Sequence, residues 1–523
     1  MSEESLGAVR TRALMSLWQL IRVVDEDGDG MISGSAYATA GVLERLWQTP
    51  RLPLDSLARL GWNALARTQN GDGSWGSPHA PVAYRLLPTL AVVCAALGAA
   101  EDAPVDRASL RAAAGRGGEF LFADPEALAP ERLPGLEAID LTIPVLLERV
   151  AAFADAEDGR YATALRRARM AQRANAERCA RLRARAAEGD RGARRELPLE
   201  LLAEPPRGWR AEDAVRGGAV ACSPVLTATA LRWQGGELAG AERYLRREAV
   251  RHQGLWPVLA PAVNFERATA AALFARLGFP LPTGFIASLS ASLRAAGGAD
   301  GVSFAPGLPP DADTTALATF VLNSWDDTAD PGPLLGFPAP RAPAVTAHVL
   351  EALTTVPRSA RTALVRDRAV AAVRALVETQ DPDGHWDDRS VASPCLPTAA
   401  AAMALARAIE SEFSADALLA VSSAITWLLG NQRADGSWGV WHPTAEETAC
   451  AVHALTVCTS PAREHLVAAA LRRAHIFLVD SLDCAVTDSI RTPLWHYKDL
   501  GSPLRIERLH TLTALLMSGS PVP

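Results

Sequence analysis

The stretch Gln432-Arg-Ala-Asp-Gly-Ser-Trp438 decides the fold, because its pattern QxxxGxW occurs twice more, at Gln69–Trp75 and Gln380–Trp386. Each copy follows an amphipathic segment and precedes, after a loop with proline, a segment rich in Ala and Leu. The Asp-Gly step favours a turn, the tryptophan can pack over it, and the glutamine can hydrogen-bond the backbone of a neighbouring helix. The repeat therefore predicts helix-turn-helix units that are stapled together by packing.

The chain as a whole fits a large helical protein. It has 523 residues, more than one hydrophobic core usually supports, and 49% of them are hydrophobic. Apolar residues recur at helical spacing, with few runs of alternating β-branched residues. A degenerate copy of the repeat, Gln253–Trp256, lies between the first copy and the last two. We therefore expect an all-α fold with two helical barrels.

Net charge and cysteine content limit the kinds of binding partner and the cellular compartment that we expect for this protein. The net charge of -7 gives no broad basic surface, so nucleic acid is not expected as a partner. Seven cysteines without CxxC spacing fit reduced thiols in the cytoplasm. We find neither a signal peptide nor an apolar stretch long enough to span a membrane. The expectation is a cytoplasmic protein without an integral membrane segment, for which a homodimer is compatible.

A pair of acidic residues stands at the start of a predicted helix, in the segment Pro310-Asp-Ala-Asp-Thr-Thr-Ala316. Carboxylates at this place commonly cap a helix and interact with its dipole. Taken alone, Asp311 and Asp313 would be interpreted as capping residues.

Together with the repeats, this segment resembles the DxDD and DxDTT motifs of the class II terpene cyclases. Further segments of the chain resemble elements of the same family, namely Ser35–Ala40, Arg85–Leu90, Pro134–Glu137, Cys222–Pro224, Phe265–Arg267, Glu446–Ala449 and Leu494–Leu500. The resemblance implies a γβ didomain of two α-barrels. The β domain would combine residues 1–22 with 280–523, and the inserted γ domain would comprise 23–279.

The resemblance also implies a reaction, and the residue types are suited to it. A class II cyclase protonates the far end of a linear isoprenoid diphosphate and leaves the diphosphate attached. Protonation of an alkene needs a carboxylic acid that stays un-ionised, which an apolar site beside a second carboxylate provides. We assign Asp313 as the general acid and Asp311 as the group that keeps it protonated. His348 either donates a hydrogen bond to this pair or is a core histidine.

Two departures from the family pattern bear on the substrate. Thr314 stands where DxDD enzymes have their last Asp, and Ala38 replaces the Asp of the SAYDTA element. The threonines of DxDTT resemble those of bacterial drimenyl diphosphate synthases. The resulting expectation is farnesyl diphosphate as substrate and bicyclic drimenyl diphosphate as product. Geranylgeranyl diphosphate, giving a copalyl-type diphosphate, is the alternative.

The remaining site residues follow from the needs of an anionic substrate and a cationic intermediate. Lys498 and Arg505 lie in a stretch that resembles the family's KxLYTPxR element, and the resemblance makes them, with Arg267, the candidates for diphosphate binding. Phe304 and Trp325 are candidates to line the cavity, where π faces stabilise cations, although each also fits a core position. The family commonly uses Mg2+, and its candidate ligands are the carboxylates of Glu137 and Asp140.

Two other interpretations compete with this one. The segment Asp326-Asp-Thr-Ala-Asp330 matches the DDxxD metal motif of class I terpene synthases, but we interpret it as an acidic loop that ends a helix before Pro331-Gly332. A helical-repeat scaffold that binds proteins would explain the repeats, yet it would leave Asp311 and Asp313 without a purpose.

Overall fold

The computed structural model describes residues 3–49, 55–99, 105–154, 161–210, 215–236, 238–325, 329–411, 417–482 and 492–518. Helices dominate these ranges, as predicted for an all-α fold. The α-helices, numbered along the chain, are α1 (Glu3–Glu26), α2 (Ala36–Trp47), α3 (Asp55–Arg67), α4 (Val82–Leu97), α5 (Arg107–Ala123), α6 (Ile139–Ala154), α7 (Ala162–Ala171), α8 (Arg173–Ala187), α9 (Arg191–Glu196), α10 (Pro224–Trp233), α11 (Ala241–Arg251), α12 (Val263–Leu277), α13 (Thr283–Ala296), α14 (Ala312–Ser324), α15 (Gly332–Gly336), α16 (Pro343–Thr354), α17 (Ala363–Thr379), α18 (Cys395–Glu410), α19 (Ala417–Gly430), α20 (Ala445–Val457), α21 (Glu464–Asp480) and α22 (Leu504–Ser518).

Short strands and 3-10 turns connect these helices. The strands form three antiparallel pairs, β1 (Val215–Arg216) with β2 (Ala219–Val220), β3 (Gly297–Gly298) with β4 (Gly301–Val302), and β5 (Trp495–His496) with β6 (Leu500–Gly501). The 3-10 helices are Pro125–Leu128, Pro130–Arg132, Leu199–Leu201, Arg358–Ala360 and Pro461–Arg463.

The chain divides into two compact units. Unit 1 comprises residues 1–31, 261–492 and 503–523, and unit 2 comprises 32–260 and 493–502. The sequence placed the boundaries after residues 22 and 279, so the observed unit 1 is larger at both places. The observed division also assigns the β5–β6 hairpin to unit 2. Arg505 and Lys498, seven residues apart in the chain, therefore belong to different units.

Six helices of unit 1 form a closed ring. In order, α12, α14, α16, α18, α20 and α22 each contact the next, and α22 returns to α12. In α14 every residue from Thr314 to Leu322 is buried, and α16, α18, α20 and α22 are buried almost as continuously. A helix that is buried on all sides belongs inside a large fold. These six are the inner helices of the barrel.

The outer helices of unit 1 bury a single face. In α17 the buried positions are Val365, Ala369, Ala372, Val373 and Leu376, a spacing of three and four residues that places them along one side of the helix. The sequence thus predicts which helices line the barrel: continuous apolar runs lie inside, and amphipathic runs lie outside.

Unit 2 is also helical. Helices α10, α2, α4, α6 and α8 form a row in which each contacts the next, while α3, α5, α7 and α11 pack along it. Its core includes Leu141, Val145 and Leu182. In the ranges that the structure describes, no helix is both long and apolar enough to cross a membrane.

The repeated motif has the geometry expected of a packing device. In the last copy, Nε2 of Gln432 donates to the carbonyl oxygens of Gly436 at 2.9 Å and Ala470 at 2.8 Å. The indole nitrogen of Trp438 donates to the carbonyl oxygen of Leu428 at 2.8 Å, and the ring is completely buried. One motif thereby joins the ends of α19 and α20 to α21.

The other copies repeat these bonds. Trp75, Trp386 and Trp256 are completely buried, and each indole nitrogen donates to a backbone carbonyl at 2.8 Å. The glycine of the motif has a positive φ of +87° at Gly73 and +107° at Gly384. Trp256, in the degenerate copy, keeps the tryptophan contact of the full motif.

We predict that Gly436→Ala destabilises the protein. Gly436 has a φ of +89°, and a Cβ there would lie 2.3 Å from the backbone oxygen of Arg473. Left-handed strain and this clash should together cost about 2 kcal/mol or more. Gly430→Ala is the matched control, because nothing lies within 4 Å of its added Cβ. Thermal unfolding should show a lower Tm for Gly436→Ala alone. Equal Tm values for the two variants would contradict the role of the turn.

Candidate active site

The acidic segment begins α14, and Asp311 caps it. Asp311 has extended backbone angles, φ −128° and ψ 157°, and its Oδ1 accepts a hydrogen bond of 2.7 Å from the amide of Thr314. This is the capping role that its position predicts. The cap fixes the first turn of the helix and with it the direction of the Asp313 side chain.

Asp313 meets His348 across two neighbouring inner helices. Asp313 lies in the first turn of α14 and His348 in the second turn of α16. Nδ1 of His348 is 2.6 Å from Oδ1 of Asp313. The side chains keep 29% of their surface exposed for Asp313 and 17% for His348. One carboxylate oxygen is thus held by the histidine, while the group stays accessible to a bound molecule.

The environment of Asp311 favours its neutral form. Burial raises the pKa of this carboxyl, and the nearby charge of Asp313 raises it further, while hydrogen bonds from Thr314 and Phe304 oppose the shift. Its Oδ2 is buried and has no hydrogen-bond partner among the described residues. A buried oxygen without a partner is expensive to ionise. Asp311 is therefore held toward its neutral form.

The second threonine of the motif, Thr315, bonds to the turn before the helix, and the first, Thr314, is buried. The hydroxyl of Thr315 lies 2.9 Å from the amide nitrogen and 3.1 Å from the carbonyl oxygen of Val302, on strand β4. The Thr314 side chain is also completely buried. A Cβ at Gly301, which has a φ of +113°, would meet the Thr315 hydroxyl at 2.5 Å. Thr315 thus fixes the β3–β4 hairpin against α14.

A buried ion pair that the sequence analysis missed crosses the interior of the ring. Arg276 on α12 donates to both carboxylate oxygens of Glu351 on α16, at 2.8 and 2.6 Å. Burial would lower the pKa of Arg276, but Glu351 outweighs it and raises the pKa. The guanidinium carbons of Arg276 and Arg407 lie 5.7 and 5.1 Å from the ring centroid of Phe320. In the sequence, the signal that could have revealed this pair is a charged residue within a largely apolar helical segment.

A second cluster that the sequence analysis missed lies between α20 and α22. Sγ of Cys450 is 3.8 Å from Nδ1 of His510, and the rings of His453 and His510 have centroids 5.3 Å apart. Nε2 of His453 is 3.1 Å from the hydroxyl of Thr513. Burial and the charge of Arg276 lower the pKa of His510 to about 3. His510 is therefore neutral at physiological pH.

The two aromatic candidates lie in different surroundings. Phe304 stacks on Phe265 with ring centroids 4.9 Å apart, next to the capped start of α14. Trp325 ends α14 and packs partly buried against the core. Twelve residues of helix separate it from Asp313, which is about 18 Å along the axis. The structure does not bring Trp325 to the acid, because the two residues lie at opposite ends of one helix.

Arg505 and Arg267 are engaged within unit 1. Arg505 donates to Asp27 at 2.6 Å and to Glu266 at 3.0 Å, and its side chain is only 9% exposed. Arg267 donates to the carbonyl oxygens of Val24, Asp25 and Asp27 at 2.6–3.4 Å. A cation at the last carbonyls of a helix is stabilising. Both arginines thus hold the end of α1, and neither is an uncommitted charge in this structure.

Lys498 is engaged within unit 2. Its ammonium group forms an ion pair with the carboxylate of Glu200, which is 3% exposed. Burial alone would lower the pKa of Lys498, but the Glu200 carboxylate outweighs it and raises the pKa above its usual range. The lysine side chain keeps 22% of its surface exposed. It is fully charged, and an anionic ligand would compete with Glu200 for it.

The predicted metal ligands do not form a three-residue site. Glu137 is exposed, while Asp140 accepts a 2.6 Å hydrogen bond from Arg178. In the part of the chain that the structure describes, the one group of three side chains close enough to share an ion is Asp381, Asp383 and His385, in an exposed repeat turn. Two carboxylates would need ligands from substrate or water to complete the coordination of Mg2+. Asp326 and Asp327 of the DDxxD segment lie outside the described residues.

Comparison with known proteins connects this geometry to a family. Residues 327–475 match the squalene-hopene cyclase C-terminal domain. Ent-copalyl diphosphate synthase of Streptomyces sp. (strain KO-3988) is 33% identical, with 94% of each chain covered. Labda-7,13-dienyl diphosphate synthase of Streptomyces clavuligerus is 32% identical over 98% of this chain and 95% of that protein. The solved ent-copalyl diphosphate synthase from Streptomyces platensis has a TM-score of 0.80 and 29% identity, covering 98% of this chain and all of that one.

These relatives span the whole chain rather than a single repeat, and each is named as an enzyme. The comparison therefore favours an enzyme over a protein-binding scaffold. The acidic pair at the start of α14 and the helical ring around it are accounted for by the same assignment. The chain belongs to the class II terpene cyclase family.

Proposed function

We propose that the protein converts geranylgeranyl diphosphate to a bicyclic, copalyl-type diphosphate. This proposal takes the alternative substrate in preference to farnesyl diphosphate. Its support is the set of relatives that cover nearly the whole chain, which are named as synthases of copalyl and labdadienyl diphosphates. Neither the drimenyl product nor the farnesyl substrate finds support among them.

The 2.6 Å contact between His348 and Asp313 carries the mechanistic part of the proposal, the protonation of the alkene. A general acid for an alkene must present its proton to an apolar molecule and must be stabilised once it has lost that proton. If Nδ1–H of His348 donates to Oδ1 of Asp313, the other oxygen is left to bear the acidic proton. The same hydrogen bond then stabilises the carboxylate that forms.

The steps follow from this arrangement. The O–H bond of Asp313 breaks, and the π electrons of the terminal alkene form the new C–H bond. The resulting cation is attacked by the next alkene of the folded chain, and then by the next, which closes two rings. Loss of a proton from a carbon next to the last cationic centre forms the final alkene. The diphosphate takes no part in these bond changes and stays attached.

The DxDTT motif supplies no measure of chain length. The Thr315 hydroxyl is bonded to the Val302 backbone and fixes a turn, and Thr314 is buried. Substrates of 15 and 20 carbons share the same reacting terminus, and the motif acts at that terminus only. The inference from DxDTT to farnesyl diphosphate therefore used a structural feature as if it described the cavity.

The binding of the diphosphate remains a proposal. Lys498 is the candidate that combines partial exposure with a raised pKa, and Arg505 and Arg267 are more deeply engaged. Mg2+ would neutralise phosphate charge, with Glu137 and Asp140 as ligands if Arg178 releases Asp140. Assembly as a homodimer and a cytoplasmic location stay predictions.

We predict that Asp313→Asn abolishes cyclisation without loss of the fold. The amide keeps the shape of the carboxyl but cannot deliver the proton, so turnover should fall by about 10²–10⁴-fold or more. Asp300→Asn is the control, because Asp300 is an exposed acid in the β3–β4 turn. The assay is mass spectrometry of the alcohols after phosphatase treatment. Wild-type turnover in Asp313→Asn would exclude this residue as the acid.

For Lys498, the ion pair requires a test in two steps. Lys498→Met alone should lower Tm, because it leaves the buried Glu200 carboxylate unpaired. We expect this to reduce the free energy of unfolding by about 3–5 kcal/mol. The double variant Lys498→Met/Glu200→Gln should recover much of this stability. If Lys498 holds the diphosphate, the double variant keeps a KM raised roughly 10- to 100-fold, while Glu200→Gln alone does not. An unchanged KM in the double variant means that the anion is bound elsewhere.

Metal dependence is tested by chelation. EDTA should lower kcat/KM of the wild type, and added Mg2+ should restore it. Because Arg178 competes for Asp140, Arg178→Gln should lower the Mg2+ concentration that gives half-maximal rate. Full activity in EDTA would show that the cations of the chain suffice.

Substrate length is decided by direct competition. We expect kcat/KM for geranylgeranyl diphosphate to exceed that for farnesyl diphosphate at least tenfold, equivalent to about 1.4 kcal/mol in transition-state binding. A preference for the C15 substrate would reverse the assignment and leave the class II mechanism intact.

A further inference from the structure

The proposed reaction ends with the loss of a proton from the bicyclic cation, and this step needs a base. An acceptable base must lie inside the helical ring, offer a lone pair at neutral pH and be accessible to the bound molecule. A water molecule can also act, but it can add to the cation instead and give an alcohol. A positioned side chain avoids that outcome by accepting the proton first.

We infer that His510, on the inner helix α22, is the base that removes this proton, an inference that rests on the proposed function. His510 lies between the two helices that flank α22 in the ring. Cys450 of α20 is on one side, 3.8 Å from Nδ1. Arg276 of α12 acts on it electrostatically from the other side.

Arg276 interacts electrostatically with both His510 and Asp313. The same guanidinium interacts electrostatically with Asp313, Cys450 and Glu351. It also pairs directly with Glu351 on α16, across the ring from α22. Asp313 and His510 both belong to inner helices of the ring, and both are partly exposed although those helices are largely buried. We therefore place both on the interior where a chain protonated by Asp313 would fold.

Four other interior groups are less suited to the step. Glu351 is tied to Arg276 by two hydrogen bonds and is 1% exposed. His453 is also 1% exposed, and its Nε2 is bonded to Thr513. Cys450 has a thiol pKa raised by burial, so it is a neutral thiol with little basicity. His348 is engaged with Asp313.

His510 differs from these groups in two respects. Its side chain is only partly buried, and no described residue is hydrogen-bonded to Nε2. If Nδ1–H points to the Cys450 sulfur, the lone pair on Nε2 is free. A carbocation is a very strong acid, so even a weakly basic imidazole removes its proton. The low pKa keeps the ring neutral and able to accept.

The proton balance closes without another reactant. The C–H bond beside the cationic carbon breaks, its electron pair forms the alkene, and the proton goes to Nε2 of His510. Asp313 has meanwhile lost one proton, so the enzyme as a whole is unchanged in charge. Arg276 repels the new imidazolium, which favours passing the proton on to solvent and from solvent back to Asp313.

The test is the product spectrum of His510→Phe. The ring is kept but the lone pair is lost, so the cation should still form and should end differently. We expect at least a tenfold shift in the ratio of the wild-type alkene to isomeric alkenes and hydroxylated diphosphates, measured after phosphatase treatment. His510→Gln repeats the test if the phenylalanine variant does not fold. His465→Gln, an exposed histidine on α21, is the control and should keep the wild-type spectrum.

The outcomes separate this inference from the proposed function. Folded His510→Phe or His510→Gln protein that makes the wild-type product in the wild-type proportion overturns the base assignment and leaves the cyclase standing. Wild-type protein that cyclises neither the C15 nor the C20 diphosphate overturns the proposed function and the inference with it. His453→Leu sharpens the result, because a matching shift in that variant would point to the histidine cluster as packing and overturn the assignment to His510.

Discussion

A 2.6 Å contact between Asp313 and His348 depends on a ring of six inner helices that bring the start of α14 beside α16. The constraint behind it is general: a carboxylic acid strong enough to protonate an alkene must be kept un-ionised in apolar surroundings. Asp311 supports Asp313 in two ways. It caps α14 by accepting a hydrogen bond from the Thr314 amide, and it places a second carboxyl, whose pKa is raised, beside the acid.

Buried charges elsewhere in the chain face the same cost of desolvation. A buried charge without a partner is costly, and the structure accordingly pairs Arg276 with Glu351, Lys498 with Glu200, and Arg505 with two carboxylates. Each pair lies within one unit of the chain. Burial, together with the charge of Arg276, lowers the pKa of His510 and keeps its ring neutral.

The sequence predicted the all-helical fold and the helix start that carries Asp311 and Asp313, because both are encoded by local patterns. QxxxGxW specifies a turn with a positive φ and a buried tryptophan, and the acidic pair specifies a helix start. Partners across the ring have no such local signature. Trp325 is near Asp313 in the chain, although it lies at the far end of α14. His510 is almost 200 residues from Asp313 in the chain, and only the ring of inner helices brings the two into one barrel. The cations predicted for the diphosphate were also local assignments, and the carboxylates and backbone carbonyls that they contact come from distant segments.

The central claim is that the chain starts cyclisation by giving a proton to carbon and keeps the diphosphate. The most direct measurement is turnover of geranylgeranyl diphosphate in D2O, followed by mass spectrometry of the cyclised product with its diphosphate and by an assay for released pyrophosphate. The acid exchanges its proton with solvent, so the account predicts a single carbon-bound deuterium, retained in the product, and no pyrophosphate. A cyclised product without deuterium, or release of pyrophosphate in step with turnover, would contradict it.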